Sequence, residues 1–204
     1  MRFQSAIDKM QGELLSLDEP GRLRGTNRDD IATGSTGADR ILGRGGDDLI
    51  LGDPRFDDGG NDRLLGQNGD DILFGDAGND RLFGGKGRDE LSGEEGRDRL
   101  FGGAGADQLF DGAGRDVMKG GGGRDQFHFS EVSGRGNVIR DFQNNRDKIV
   151  MDFEEGVDFS DVNIRKQGRD VRITVDGEND QLLLKGVRRN LIDERDFIFG
   201  DELM

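Results

Sequence analysis

Between Gly66 and His128 the chain reads, nine residues at a time, GQNGDDILF, GDAGNDRLF, GGKGRDELS, GEEGRDRLF, GGAGADQLF, DGAGRDVMK and GGGGRDQFH. Glycine stands fourth, aspartate sixth and a large apolar residue eighth in most or all of these lines. Carrying the frame toward the N-terminus adds copies starting at residues 25, 34, 43 and 57, so eleven nonapeptides of the form GGxGxDxUx run from Gly25 to His128. Position six is Asp30, Asp39, Asp48, Asp62, Asp71, Asp80, Asp89, Asp98, Asp107, Asp116 and Asp125. Position eight runs Ala32, Ile41, Ile50, Leu64, Leu73, Leu82, Leu91, Leu100, Leu109, Met118 and Phe127. The frame slips once, where five extra residues fall within GDPRFDD, Gly52 to Asp58. That stretch reads as a loop bulging from the array, or as an acidic cluster (Asp53, Asp57, Asp58) that contacts a partner or an ion. The first copy, with Arg28 for glycine and Ala32 for the large apolar residue, has the degeneracy of a terminal repeat.

A period of nine with one apolar position suits a three-residue strand xUx, whose middle side chain points inward while its neighbours face out. The six residues between strands must turn the chain, and glycine supplies the positive φ and close backbone approach that a tight turn needs. Burial alone cannot hold such an array. One interior side chain per nine, at about 1.5 to 3 kcal/mol, does not offset backbone ordering at about 1 to 2 kcal/mol per residue. The whole chain is 31% apolar and carries a net charge of −14, with no Cys, Trp or Tyr, so neither disulfides nor thiolate metal sites supply the difference.

Oxygen ligands remain. Turns that aim main-chain carbonyls and an Asp carboxylate at one point suit calcium, which takes 6 to 8 oxygens at roughly 2.3 to 2.6 Å; magnesium, which wants a near-ideal octahedron and keeps its water, suits them less. The acidic balance, with pI near 4.5, argues against nucleic acid as a partner. No apolar run reaches the length of a membrane span, and MRFQSAIDKMQGELLSL lacks the apolar region of a cleavable signal peptide.

On these nonapeptides the chain resembles the hemolysin-type RTX proteins. The resemblance implies an all-β fold, a right-handed parallel β-roll in which two nonapeptides make one turn and each calcium ion lies between the turns of copies n and n+2. It assigns the ligands to the eleven position-six aspartates, with main-chain carbonyls near Gly37, Gly46, Gly60, Gly69, Gly78, Gly87, Gly96, Gly105, Gly114 and Gly123. One edge would stack Asp30, Asp48, Asp71, Asp89, Asp107 and Asp125, the other Asp39, Asp62, Asp80, Asp98 and Asp116, for at most about nine ions. Nine divalent ions outweigh the net negative charge, so folding is expected to be coupled to calcium binding, inside the range of extracellular modules at about 10⁻⁴ to 10⁻³ M.

The chain divides into an N-terminal cap (1–24), the roll (25–128) and a C-terminal capping β module (129–204). In the first, Ile7, Met10, Leu14 and Leu17 recur at helical spacing before Pro20-Gly21, which predicts a short helix that caps the roll or binds a partner. In the last, Val138/Ile139 and Ile149/Val150/Met151 predict two strands around the turn Gln143 to Arg146, followed by strands in VNIRKQ, DVRITV and QLLLKGV. Asn137 to Phe142 resembles the stretch that closes the roll in type I-secreted proteins, with Asn137 where an acid is common; Asp141 and Asp147 are candidate ligands or solvated turn residues. The end, Asp193 to Phe199 and then GDELM, resembles an uncleaved type I export signal or reads as a plain edge strand. By the same resemblance the protein is secreted and extracellular, with calcium ions and the type I secretion apparatus as partners.

No HExxH, GxSxG, Cys nucleophile or phosphate-binding loop is present, and His128 reads as a surface or cap-contacting residue, so the chain is expected to be non-catalytic. Outward position nine carries Leu42, Leu51, Leu65, Phe74, Phe83, Phe101 and Phe110, beside Arg40, Arg63, Arg81 and Arg99 at position seven. These form either a partly covered feature of the repeats or a surface for a cell-surface glycan or protein. Two tasks stand side by side. One is a standalone secreted calcium-binding protein of adhesion or interaction, favoured by a chain that starts at Met1 with no room for an enzyme. The other is a folding, export or substrate-binding module of an extracellular protease, lipase or alginate epimerase. A membrane-active toxin lacks its hydrophobic pore-forming region here.

Overall fold

Each xUx unit forms a strand and the glycine-rich units turn the chain, three of them also pairing in parallel as a small third sheet (Ala77–Gly78, Glu95–Gly96 and Ala113–Gly114), in a computed structural model that describes residues 13–17, 20–53, 59–130, 136–152, 158–176 and 181–199. Alternate strands fall into two sheets. The first holds Leu14–Ser16, Ile31–Thr33, Leu49–Leu51, Ile72–Phe74, Glu90–Ser92, Gln108–Phe110, Gln126–Ser130, Lys148–Asp152 and Phe197–Phe199, in that order and all parallel. The second begins with Arg22–Arg24, Arg40–Gly45, Arg63–Asn68, Arg81–Lys86, Arg99–Ala104 and Val117–Gly122, again parallel. Partners lie eighteen residues apart, as in Leu82 beside Leu100, so two nonapeptides do complete one turn of a parallel β-solenoid.

The position-eight side chains fill the space between the sheets in single file. From Ile41 to Phe127 each of them is 0% exposed, and Ala32 at the start is 1% exposed. Flanking residues at positions seven and nine alternate outward, as the pleat requires. The core, from Leu23 at one end to Phe199 at the other, depends on this stacking, because each strand of the roll up to Met118 presents a single inward side chain to it.

The N-terminal helix expected over Ile7 to Leu17 is not borne out. Leu14–Ser16 is a strand that pairs in parallel with Ile31–Thr33, and the Glu13 N–H donates to Asp30 Oδ1 at 2.7 Å. Leu14, placed on the apolar helix face by its spacing, is 79% exposed, whereas Leu15 packs against the core. An open sheet edge and an aspartate acceptor outweigh helical periodicity here, since four apolar residues at helical spacing are a weak propensity that tertiary pairing overrides. Ile7 and Met10 lie outside the described residues. Among the described residues there is no α-helix, and no helix is long and apolar enough to cross a membrane. The solenoid therefore starts before Gly25, since Arg22–Arg24 also pairs with Arg40–Leu42 and buries Leu23.

The roll also continues past His128. Asn137–Ile139 pairs in parallel with Val117 and Met118, and Lys148–Asp152 with Gln126–Ser130, so the two strands around the turn at Gln143 to Arg146 enter different sheets. Gln181–Leu184 then pairs in parallel with Asn137–Ile139, and Asp170–Val175 and Val162–Gln167 complete the second sheet as antiparallel strands. This is the expected C-terminal β cap. Phe197–Phe199 forms the last strand of the first sheet with Phe197 and Phe199 buried, which matches the edge-strand reading of that segment; residues 200–204 lie outside the described residues.

Candidate metal centres

Parallel stacking brings the position-six aspartates into two columns, one at each edge. Along the first, the main-chain N–H of Asp30 donates to Asp48 Oδ1 at 2.8 Å, Asp48 to Asp71 at 2.9 Å, Asp71 to Asp89 at 3.0 Å, Asp89 to Asp107 at 3.0 Å and Asp107 to Asp125 at 3.1 Å. Along the second, Asp39 donates to Asp62 Oδ1 at 2.8 Å, Asp62 to Asp80 at 2.8 Å, Asp80 to Asp98 at 2.8 Å and Asp98 to Asp116 at 2.7 Å. The Asp48 to Asp71 step, which spans the extra residues, is as regular as the others. Both columns have the n and n+2 stacking that the RTX resemblance implies.

One carboxylate oxygen is thereby used and the other is not. The Oδ2 atoms of Asp48, Asp62, Asp71, Asp80, Asp89, Asp98, Asp107, Asp116 and Asp125 are buried without a hydrogen-bond partner among the described residues. A buried polar atom left unpaired costs about 1 to 3 kcal/mol, and more if charged, so nine in register demand a partner. Only the first aspartate of each column is closed. Asp30 Oδ2 accepts from the Thr26 N–H and hydroxyl, and Asp39 Oδ2 from those of Ser35.

For all but Asp116, whose copy begins with Asp111, the space before the free oxygen is kept open by a position-one glycine and is lined by further oxygens. A Cβ on Gly43 would stand 2.1 Å from Asp48 Oδ2 and 2.9 Å from the Gly66 carbonyl oxygen; on Gly102, 2.4 Å from Asp107 Oδ2 and 2.8 Å from the Gly120 carbonyl. Position four is as restrictive. Gly105 has φ +152°, and a Cβ there would meet the Gly87 carbonyl oxygen at 1.5 Å. Position-four carbonyls therefore stack as expected, from that of Gly37 beneath Gly60 to that of Gly105 beneath Gly123. The spacing did not single out the position-one carbonyls of Gly43, Gly52, Gly66, Gly75, Gly93, Asp111 and Gly120, although glycine at position one was the available signal. Among the described residues no three acidic or histidine side chains converge on one point, so each cradle is completed by main-chain oxygen. The donor set is all oxygen, which fits a hard cation and excludes a thiolate or imidazole site.

Burial raises the pKa values of these groups well above the ordinary carboxylate range. Asp71 and Asp80 are pushed up to about 8, Asp48, Asp62, Asp98 and Asp107 to about 7, and Asp89 and Asp116 to about 6. Loss of solvation is the largest cause in each, opposed by the main-chain hydrogen bond; for most of them charge from neighbouring aspartates raises it further. Without a cation, Asp71 and Asp80 are therefore largely protonated at neutral pH, and Asp89 and Asp116 largely ionised.

Both columns end in the C-terminal cap. The Asp125 N–H donates to Asp147 Oδ1 at 3.3 Å, and the Asp116 N–H to Asn137 Oδ1 at 2.8 Å. Asp147 is buried rather than solvated, and its other oxygen accepts from the Gln143 N–H at 2.7 Å. Asp141 accepts from the Gly120 and Gly121 N–H groups at 3.0 and 2.9 Å. Asn137 stands where the column would bring another carboxylate, and its amide donates to Asp111 Oδ2 at 2.5 Å. His128 is 8% exposed rather than a surface residue; its Nδ1 lies 2.8 Å from Asp152 Oδ2 and its ring stacks on Phe110 at 4.1 Å.

The frame break resolves at the level of single residues. Gly52 occupies position one of the fourth copy, because a Cβ there would meet both Asp62 Oδ2 and the Gly75 carbonyl oxygen at 2.5 Å. Asp53 then occupies position two, donating its N–H to Asp76 Oδ2 at 3.2 Å, and the frame resumes at Gly59. The inserted residues are 54–58. Asp53 is buried with both carboxylate oxygens unpartnered among the described residues, and burial and the Asp76 charge raise its pKa to about 6. Asp57 and Asp58 lie outside the described residues.

The family model for the RTX calcium-binding nonapeptide repeat matches residues 24–54, 56–91 and 92–127. No curated protein matches the chain by sequence. Among solved structures, the chain is similar to the AlgE6R3 subunit of the mannuronan C5-epimerase of Azotobacter vinelandii, at 26% identity and a TM-score of 0.49, over 60% of this chain and 79% of that one. It is also similar to the extracellular lipase LipA of Serratia marcescens, at 20% identity and a TM-score of 0.37, over 92% of this chain and 40% of the lipase, so it spans well under half of that enzyme's length.

Proposed function

The chain belongs to the RTX calcium-binding nonapeptide repeat family, and from that premise we propose that it is a non-catalytic module that folds outside the cell by taking up calcium at its two aspartate columns. The observation that carries this is the set of nine buried Oδ2 atoms without a hydrogen-bond partner among the described residues, eight of them, all but that of Asp116, facing space that a Cβ on a position-one glycine would fill. Asp48, Asp62, Asp71, Asp80, Asp89, Asp98, Asp107, Asp116 and Asp125, with the main-chain carbonyls of positions one and four, are the ligands of up to about nine ions. Calcium supplies the positive charge that lets stacked carboxylates stay ionised at neutral pH. The chain's own contribution is to hold them in register through the Oδ1 hydrogen bonds and to keep the cradles open with glycine.

Cytosolic calcium lies far below the roughly 10⁻⁴ to 10⁻³ M at which extracellular modules fill, so the chain stays unfolded during synthesis and folds after export. Export by a type I apparatus that reads the C-terminal segment is consistent with Phe197–Phe199 being a strand that only the folded roll buries. The role after folding is adhesion or interaction, or service as the repeat module of a larger extracellular enzyme. Far-UV circular dichroism of the purified chain with 5 mM calcium and then with excess chelator tests the folding claim. A β signal that chelator abolishes supports it; a signal that chelator leaves intact overturns it.

A further inference from the structure

The outward face of the second sheet carries a column of arginines that the calcium reading leaves unexplained. Arg22, Arg40, Arg63, Arg81 and Arg99 occupy the same position on five consecutive parallel strands and pair directly in register. All but half-buried Arg40 are exposed, and among the described residues none of the five forms an ion pair. From Arg22–Arg24 to Val117–Gly122 these strands contain no acidic residue, in a chain of net charge −14. Like charges directly opposite each other on neighbouring strands are destabilising, so five in a row cost stability unless an anion covers them.

The neighbouring column, two residues further along each strand, is apolar: Leu42, Leu65, Phe83 and Phe101. Phe83 and Phe101 stack at 4.8 Å with 6° between their planes, and the Arg63 guanidinium lies over the Phe83 ring, 5.0 Å from its centre. A guanidinium over a ring can still donate two parallel N–H bonds to a carboxylate from its edge. The face thus combines a line of bidentate anion donors with a flanking apolar strip.

We propose that this face binds a linear acidic polysaccharide, one whose sugar units each carry a carboxylate. Parallel strands repeat at about 4.8 Å, so the five arginines span about 19 Å, the length of roughly four to five pyranose rings laid end to end, and the repeat approximates one ring per arginine. The apolar strip suits the C–H faces of the rings. Duplex DNA presents its phosphates every 3.4 Å along each strand and gains specificity from elements set into a groove, and this face is a flat sheet. The binding face exists only in the folded roll, so the proposal rests on calcium-dependent folding, which circular dichroism reads separately.

The test uses calcium-loaded protein, calorimetry, and three probes: the β-1,4-linked hexaglucuronate, its neutral counterpart cellohexaose, and an oligothymidylate. Hexaglucuronate is expected to bind saturably, to weaken when salt is raised from 50 to 500 mM, and to bind Arg81→Gln/Arg99→Gln at least tenfold more weakly; cellohexaose is expected not to bind. Arg88→Gln/Arg97→Gln, which removes the same charge from the turns, should stay within twofold of the parent. Both double variants should keep the calcium-dependent circular dichroism signal, and loss of Arg81 and Arg99 should not lower thermal stability, because it relieves like-charge contacts. Absence of hexaglucuronate binding, equal binding by both double variants, or tighter binding of oligothymidylate would overturn the proposal.

Discussion

Substituting alanine at two glycines two copies apart should change stability in opposite directions. Gly105 sits at φ +152°, and a Cβ there would stand 1.5 Å from the Gly87 carbonyl oxygen and 3.3 Å from Asp107 Oδ1. The left-handed conformation alone costs an L-residue roughly 1 to 2 kcal/mol, and the overlap with main chain adds about 1 to 3 kcal/mol for the shift it forces. Gly105→Ala is therefore expected to destabilise the calcium-loaded roll by about 2 to 5 kcal/mol. Gly122 is exposed, has no positive φ, and a Cβ there meets nothing within 4 Å. Gly122→Ala removes only freedom of the unfolded chain and should stabilise by about 0.4 to 1 kcal/mol. Because folding takes up several ions together, the calcium midpoint responds weakly: 4 kcal/mol shared over nine ions moves it by only about twofold, from 1.4 kcal/mol per decade for each ion. The better assay is urea unfolding at fixed, saturating calcium, followed by circular dichroism. Equal effects at the two positions, or a harmless Gly105→Ala, would refute the view that the turn glycines keep a carbonyl-lined space open.

Three further outcomes follow from the same geometry. In chelator, acid should substitute for calcium: the aspartates have folded values of about 6 to 8 against 3.8 unfolded, so the ion-free roll loses stability as pH rises from about 4 to about 8 and regains it as pH falls, visible as circular dichroism signal appearing below about pH 6 without calcium; no gain in structure on acidification would contradict this. Asp89→Asn should keep the Oδ1 acceptor for the Asp71 N–H while losing the charged Oδ2, lowering calcium stoichiometry by one or two ions, whereas Asp70→Asn on the exposed turn should leave it unchanged; the two are separated by calorimetry. Asp141→Ala strips the acceptor from the Gly120 and Gly121 N–H groups and should cost about 1 to 3 kcal/mol in urea unfolding without changing stoichiometry.

Much of the roll was legible because a nine-residue period fixes what points inward. Position eight could be read as the core file from phase alone; that position six forms two edge columns, with Leu82 beside Leu100 and Asp80 beside Asp98, came from the resemblance to RTX proteins, in which two nonapeptides make one turn. What escaped depended on events between turns. Gly52 and Asp53 belong to the fourth copy, but the five residues after them break the phase, so only the register against Gly75 and Asp76 reveals it. Leu14 and Leu15 could not be told apart by helical or strand periodicity in so short a stretch, and the open edge at Ile31–Thr33 decided between them. Thr26 and Ser35 were hidden because their role is to occupy, in the first copy of each column, the oxygen that the other copies leave free. Four arginines were visible at position seven, but Arg22, which precedes the first copy, joins their column only through the pairing of Arg22–Arg24 with Arg40–Leu42.

The most direct measurement of the central claim is a calorimetric calcium titration of the chelator-treated chain at pH 7.5, with circular dichroism read on the same samples. Folding should rise in one cooperative step together with the heat, saturating at more than about five ions and at no more than about nine. A chain already folded before calcium is added, or one that saturates with fewer than about five ions, would contradict the coupling of two aspartate columns to the fold.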